Sequence, residues 1–216
     1  MSREETVKRI EESGIVAVLR LDDTQNICHI FEALMNAGVI ALEITMTTPG
    51  AIDIIKEYAQ KLDGDFILGA GTVLTPEDAR QAIEYGAKFI VSPVFNEDIL
   101  KVSQEMGAAV FPGAFSPNEI LNAWQKGADV IKVFPATTLG PGYFKDIHGP
   151  LPEIKLTPTG GVNLENTAAF LNAGARFVGV GTSLLDKTLI ATENWKGLTE
   201  RAALFIAEVE KTRHLV

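Results

Sequence analysis

Ser116-Pro117-Asn118-Glu119-Ile120-Leu121-Asn122-Ala123-Trp124-Gln125-Lys126-Gly127-Ala128-Asp129-Val130-Ile131-Lys132-Val133-Phe134-Pro135-Ala136 holds one full period of this chain. Ser116 is a cap, and Pro117 presets the first helical φ where its missing N–H costs nothing. Pro117–Lys126 reads as a helix, Gly127 as its left-handed stop, and Asp129–Phe134 as an apolar, β-branched strand. The same succession recurs along the sequence. Strands are expected at Ile15–Leu19, Val39–Thr45, Phe66–Ala70, Phe89–Ser92, Ala109–Pro112, Asp129–Phe134, Lys155–Pro158 and Phe177–Val180. Helices are expected at Thr24–Asn36, Ala51–Leu62, Pro76–Tyr85, Glu97–Met106, Pro117–Lys126 and Leu164–Asn172. Strands alternating with helices over short connections predict an α/β fold with a parallel sheet. An open doubly wound sheet fits the alternation too, but eight even units favour closure into a (β/α)8 TIM barrel. With 216 residues against the usual ~250, such a barrel has lean loops. Ser2–Ser13 is expected as an extra N-terminal helix, and Trp195–Lys211 as the eighth helix or its continuation. No linker or low-complexity tract divides the sequence, so one domain over 1–216 is expected.

Composition narrows the function classes. Hydrophobic residues make up 46% and charged residues 22%, the balance of a globular domain rather than a disordered chain. A net charge of -9 argues against nucleic acid as a partner and obliges any anionic substrate to find a local positive site. Cys28 is the single cysteine, which excludes an internal disulfide and fits a reducing compartment. Met1–Ser13 is charged and helical in pattern, without the apolar core of a signal peptide. No run approaches the ~20 apolar residues of a membrane span. A cytoplasmic location is expected.

Lys132 stands in the middle of an apolar strand. Burial disfavours an ammonium and frees the amine for nucleophilic attack on a carbonyl, the basis of Schiff-base catalysis. The plainer alternative is a lysine that snorkels to solvent or pairs with a carboxylate. Strand alternation adds two neighbours. Ile40, Leu42 and Ile44 share the helix-facing side of the second run, so Ala41, Glu43 and Thr45 face the axis. Val130, Lys132 and Phe134 face inward from the sixth run, and Arg20 points into the mouth from the first. Arg20, Glu43 and Lys132 therefore meet at the C-terminal ends of the strands, where barrels carry their active sites. They read either as a reactive cluster or as a buried ion network, although such networks rarely stabilise more than apolar packing does.

Phosphate has its own signal. The seventh run ends Thr157-Pro158-Thr159-Gly160-Gly161-Val162-Asn163 and the eighth Val178-Gly179-Val180-Gly181-Thr182-Ser183, each followed by a helix. These two loops and a helix N-terminus are a frequent phosphate site in barrels, because glycines let backbone N–H groups close on the anion. Gly69-Ala70-Gly71-Thr72 is a weaker signal, its glycines sufficing for close backbone approach. The histidines carry no metal-ligand spacing: His148 is expected in a loop, His29 in a helix and His214 in the tail. No metal and no cofactor is expected. Cys28, Met35 and Met106 read as packing. Trp124 and Trp195 read as core or subunit contact. Glu4-Glu5 and Asp22-Asp23 read as solvated faces and caps.

In order along the chain, Gly14-Ile15-Val16-Ala17-Val18-Leu19-Arg20, Leu42-Glu43-Ile44-Thr45, Gly69-Ala70-Gly71-Thr72-Val73-Leu74, Val91-Ser92-Pro93, Phe111-Pro112-Gly113, Ile131-Lys132-Val133-Phe134-Pro135-Ala136 and Pro158-Thr159-Gly160-Gly161 resemble the 2-keto-3-deoxy-6-phosphogluconate (KDPG) and 4-hydroxy-2-oxoglutarate (KHG) aldolase family. The resemblance runs from about Ser13 to Leu185. It implies a trimeric barrel and a metal-independent class I aldolase acting on a 2-oxo acid sugar phosphate, with pyruvate as product. It implies Lys132 as the Schiff-base lysine and Glu43 as general acid and base. Arg20, Thr72 and Thr159 would hold the pyruvyl carboxylate, and Gly160, Gly161, Gly181 and Thr182 the distal phosphate. Phe134 would pack beside the lysine, and Pro93 would shape the pocket floor. One position departs: many members carry Arg in a Glu-x-Thr-x-Arg-Thr pattern, and here Thr47 stands in that place, so carboxylate recognition leans on Arg20 and hydroxyls. Competing readings are a phosphate-binding epimerase or isomerase on the same barrel, and a non-catalytic sugar-phosphate binder.

Overall fold

The computed structural model describes residues 1–61 and 66–213. Leu62, the expected end of one helix, and His214 lie outside the described residues. In chain order the elements are α1 (Arg3–Ser13), β1 (Ile15–Leu19), α2 (Ile27–Asn36), β2 (Ala41–Thr45), α3 (Ala51–Lys61), β3 (Ile67–Gly71), α4 (Pro76–Glu84), β4 (Phe89–Val91), α5 (Glu97–Glu105), β5 (Ala109–Phe111), β6 (Gly113–Ala114), α6 (Pro117–Gln125), β7 (Ile131–Val133), α7 (Ala136–His148), β8 (Leu156–Pro158), α8 (Leu164–Asn172), β9 (Val178–Val180), α9 (Lys187–Ala191) and α10 (Trp195–Arg213).

The fold is α/β with parallel, curled sheet. Six strands run in the order β5-β4-β3-β2-β1-β9 and three in the order β6-β7-β8. Every described pairing is parallel. The fifth expected strand, Ala109–Pro112, ends at Phe111, because Pro112 has no N–H for a ladder, and β6 follows beyond its expected end. β5 pairs with β4 and β6 with β7, and the Pro112 carbonyl still accepts the Lys132 N–H at 2.9 Å. On the other flank Thr159 bridges Gly179 in parallel.

Local signals act as read. Ser116 caps α6 in a capping box with Glu119, and Thr75 caps α4 ahead of Pro76. Gly127 ends the α6 unit at φ 93. Several boundaries differ from expectation for identifiable reasons. Strand pairing in the sixth run begins at Ile131, because Asp129 turns its carboxylate to Arg3 Nε (both oxygens at 2.9 Å) and to the Val110 N–H (2.8 Å). Helix α2 begins at Ile27 rather than Thr24, since Asp23 Oδ1 takes the Gln25 N–H at 2.9 Å in a preceding turn. Two helices lack a sequence signal. Gly140 (φ 67, ψ 178) and Pro141 kink α7 and break its periodicity, and α9 is only five residues long. His148, expected in a loop, closes the last turn of α7, with Nε2 2.9 Å from the Ile154 carbonyl oxygen.

Alternation divides the apolar residues as expected. Ile15, Ala17, Leu19, Leu42, Ile44, Ile131 and Val133 pack in the core shared with the helices. Val16, Ala41, Val130, Phe89, Phe111 and Phe177 pack in a second cluster with Val7 and Ile10 of α1. Phe111 stacks within this cluster 5.6 Å from Phe89 and 5.5 Å from Phe177, centroid to centroid. Full burial of each ring contributes ~1.5–3 kcal/mol. Ile40 departs from expectation: it precedes β2 and packs against this second cluster rather than the helices.

Candidate active site

The second cluster is the ground on which the polar residues stand. Ala41 lies two residues before Glu43 and Val130 two before Lys132, on the same strand faces, and both are apolar cluster members. Glu43 is hydrogen-bonded in register between Val18 and Gly69, Lys132 between Gly113 and Thr157. Glu43 is 2% and Lys132 4% exposed. That burial lowers the Lys132 pKa; Glu43 opposes the shift and Arg20 adds to it. Burial also raises the Glu43 pKa, against the fields of Lys132 and Arg20. The amine is pushed toward its neutral, nucleophilic form and the carboxyl toward the range where it can hold or release a proton.

An ion network is not what joins them. Among the described residues no ion pair within 4.0 Å links Glu43 to Lys132 or Arg20, and Glu43 Oε1 is buried without any hydrogen-bond partner. A buried acceptor that no protein group satisfies costs ~1–3 kcal/mol, more when charged. Oε1 has room because residue 71 is glycine. A Cβ there would overlap Oε1 outright and lie 2.5 Å from Cδ and 2.6 Å from Cγ of Glu43. At Gly69 the close neighbour is the Phe89 ring, at 2.5 Å from a built Cβ. Both glycines of the Gly69-Ala70-Gly71 run thus admit side chains, not the backbone approach expected of them.

Arg20 reaches over the strand ends and donates from a terminal guanidinium nitrogen to Thr72 Oγ1 at 3.2 Å. Thr72 holds φ 56, a conformation a β-branched residue rarely adopts. Such strain costs on the order of 1–3 kcal/mol and persists where surrounding structure enforces it, often at functional sites. Thr47 is exposed, with its hydroxyl 3.0 Å from that of Thr45. The Thr45 and Thr48 hydroxyls both donate to the Leu19 carbonyl, so these hydroxyls tie the end of β2 to β1. The Lys132 Nζ lies 5.0 Å from the centroid of the Phe134 ring.

A cavity of about 600 Å³ opens beside this centre. Arg20, Phe134, Thr159, Gly160, Gly161, Gly181 and Thr182 line it. Gly160 (φ 91) and Gly161 (φ 74) turn the chain into α8, which Asn163 caps. Lys132, Glu43, Thr72 and Pro93 are not in the cavity wall. Lys132 adjoins the wall through Phe134, and Thr72 reaches it through Arg20. Pro93 packs its carbonyl on Gly113, whose partner in register is Lys132. Sequence reasoning missed the space at Gly71 and the contribution of α9, whose Lys187, Ile190 and Ala191 form an outer wall. A Cβ-free position on the strand beside an inward carboxylate, two residues past its partner in register, was the only available signal for the first; α9 gave none. Among the described residues no three His, Cys, Asp or Glu side chains gather as a metal site, and no helix is long and apolar enough to cross a membrane.

A desolvated amine, a buried carboxyl and a cavity with a glycine-lined margin, at the C-terminal ends of parallel strands, suit one class of reaction: lysine-dependent carbonyl chemistry on an α/β scaffold. Known proteins narrow it. The family model described as KDPG and KHG aldolase matches residues 6–201, and the chain belongs to this aldolase family. Among its relatives, 2-dehydro-3-deoxy-phosphogluconate aldolase of Pseudomonas aeruginosa is 33% identical over 85% of this chain and 84% of its own. KHG/KDPG aldolase of Escherichia coli K12 is 32% identical over 73% and 74%. KDPG aldolase of Legionella pneumophila, solved with pyruvate captured as a covalent carbinolamine intermediate, superposes with a TM-score of 0.85 at 29% identity, covering 92% of this chain and 96% of that one.

Proposed function

We propose that this chain cleaves 2-dehydro-3-deoxy-6-phosphogluconate to pyruvate and glyceraldehyde 3-phosphate, and 4-hydroxy-2-oxoglutarate to pyruvate and glyoxylate, through a Schiff base on Lys132. The observation that carries this is the buried amine of Lys132 beside a buried carboxylate with one oxygen unpartnered. The relatives' names support the substrate class, and the carbinolamine of the Legionella enzyme supports the chemistry.

Neutral Lys132 attacks the C2 ketone. Glu43 carries protons through carbinolamine formation and loss of water. The iminium withdraws electrons while Glu43 takes the C4 hydroxyl proton, so the C3–C4 bond breaks and the aldehyde leaves. The enamine is protonated at C3, and water releases pyruvate and the free amine. Arg20, Thr72 and Thr159 hold the pyruvyl carboxylate. Gly160, Gly161, Gly181 and Thr182 hold the phosphate, whose remote binding energy positions the reacting carbons. Phe134 covers the lysine and Pro93 underlies it. No metal or cofactor takes part.

Borohydride added with pyruvate is expected to attach a reduced pyruvyl group to Lys132, located by peptide mass spectrometry. An unmodified Lys132 overturns the assignment. Cleavage rates for KDPG, its galactonate-derived epimer and 4-hydroxy-2-oxoglutarate then rank the substrates.

The architecture in this reading is a single domain, a closed (β/α)8 barrel with α1 as an extra helix. The hydrogen bond from the Asp129 N–H to the Val110 carbonyl (3.2 Å) and the Thr159–Gly179 bridge support closure by linking the two sheets. The quaternary state is a homotrimer in the cytoplasm. Leu74, Val94 and Phe115, 54%, 52% and 43% exposed, follow β3, β4 and β6 and offer an apolar face for it. Sedimentation equilibrium is expected to give three times the 23.3 kDa chain mass, and Phe115→Asp to shift the mass toward monomer. A monomeric parent protein removes the trimer.

A further inference from the structure

The cavity of about 600 Å³ is much larger than a phosphate group, and neither Lys132 nor Glu43 is in its wall. Glycines at 160, 161, 179 and 181 line part of it. Leu21, Ile30, Leu185, Ile190 and Ala191, all apolar, line it too. Leu21, Ile30 and Leu185 are nearly inaccessible, so the space penetrates to the core side of α2 rather than grazing the surface. At the rim Asp22 pairs with Lys187 at 3.6 Å, and Asp23 accepts the Gln25 N–H. With Arg20 of the same wall counted, two carboxylates meet two cations and the lining carries no net charge, so its apolar residues leave an uncharged tail unopposed.

The geometry points to a second acceptor subsite beside the glycine margin, one that takes the alkyl chain of an unphosphorylated aliphatic aldehyde. The enzyme then joins pyruvate to such aldehydes, giving 4-hydroxy-2-oxo acids with apolar tails, and cleaves the same acids in reverse. This rests on the Schiff-base reading of Lys132. The pyruvyl enamine carbon C3 attacks the aldehyde carbonyl carbon, and the new C3–C4 bond forms. The carbonyl electron pair moves to oxygen, which takes a proton from Glu43. Water hydrolyses the iminium, releasing the 4-hydroxy-2-oxo acid and the free amine. No electron acceptor or donor is required.

Ordinary burial of a methylene corresponds to about a fourfold gain per group. With saturating pyruvate, kcat/KM for the aldehyde is expected to rise about fourfold per methylene from propanal through butanal and pentanal to hexanal, read as product by mass spectrometry. Ile190→Thr, which shortens the side chain and replaces one branch by a hydroxyl, is expected to lower the hexanal value about tenfold and leave propanal unchanged. Ala191→Asn provides the same comparison at a second wall position. Equal values for propanal and hexanal, or no hexanal product while borohydride still traps pyruvate on Lys132, overturn the subsite and leave the aldolase reading standing. Failure to trap pyruvate overturns that reading and the subsite with it.

Discussion

Lys132→Ala is expected to lower kcat/KM for 2-oxo acid cleavage on the order of 10⁴-fold or more, the scale of losing a covalent nucleophile. No pyruvyl adduct forms with borohydride. Alanine also leaves a void, so a loss of activity alone could reflect a damaged strand. Lys132→Met separates the two causes. Methionine is unbranched and polarizable, and it fills the space of the lysine stem on β7. It also removes a buried ionisable group whose charged form burial disfavours. Replacing buried charge by apolar volume is often neutral or stabilising. Glu43, relieved of a positive neighbour that was lowering its pKa, takes up a proton more readily rather than remaining as a stranded anion. Lys132→Met is therefore expected to be as inactive as Lys132→Ala, with a melting temperature at or above that of the parent protein. Parent-like turnover in Lys132→Met would place the nucleophile elsewhere.

The elements that were legible in the sequence are those encoded by short-range physics. Ser116-Pro117 and Thr75-Pro76 start helices because their caps and preset φ act locally. Strand alternation correctly brought Glu43, Lys132 and Arg20 together, since the period of two is fixed by the pleat. What the sequence concealed depends on contacts between distant segments. Asp129 shortens its strand because Arg3, far away along the chain, reaches it. Pro112 separates β5 from β6, which is visible only when their partners β4 and β7 are both present. Gly140 and Pro141 erased the signal of a helix that tertiary packing still forms around the buried Phe144 and Ile147. Gly160 and Gly161 were legible as a turn into α8, because positive φ is a backbone property. Gly71 was not, because its role is the volume it leaves to a side chain on the neighbouring strand.

That volume makes Gly71→Ala the second large prediction. The strand conformation at 71 accepts alanine, because the position carries no positive φ. The added methyl meets Glu43 and nothing flexible enough to yield first. It must drive the carboxylate out of the chamber where Oε1 now sits unpartnered. If that chamber is where the proton is handed over, kcat falls about 10²- to 10⁴-fold, the usual worth of a positioned acid–base group, and Glu43→Gln falls by a similar factor. The amine is untouched in both variants, so borohydride still traps pyruvate on Lys132, only more slowly. A merely destabilised fold would lose trapping and turnover together. Gly71→Ala combined with Glu43→Gln separates positioning from general damage. Two changes that remove one function do not add, so the double variant is expected to be no slower than the slower single one. Strictly multiplicative losses, or a Gly71→Ala enzyme at the parent rate, would mean that the free oxygen of Glu43 is not where the proton moves.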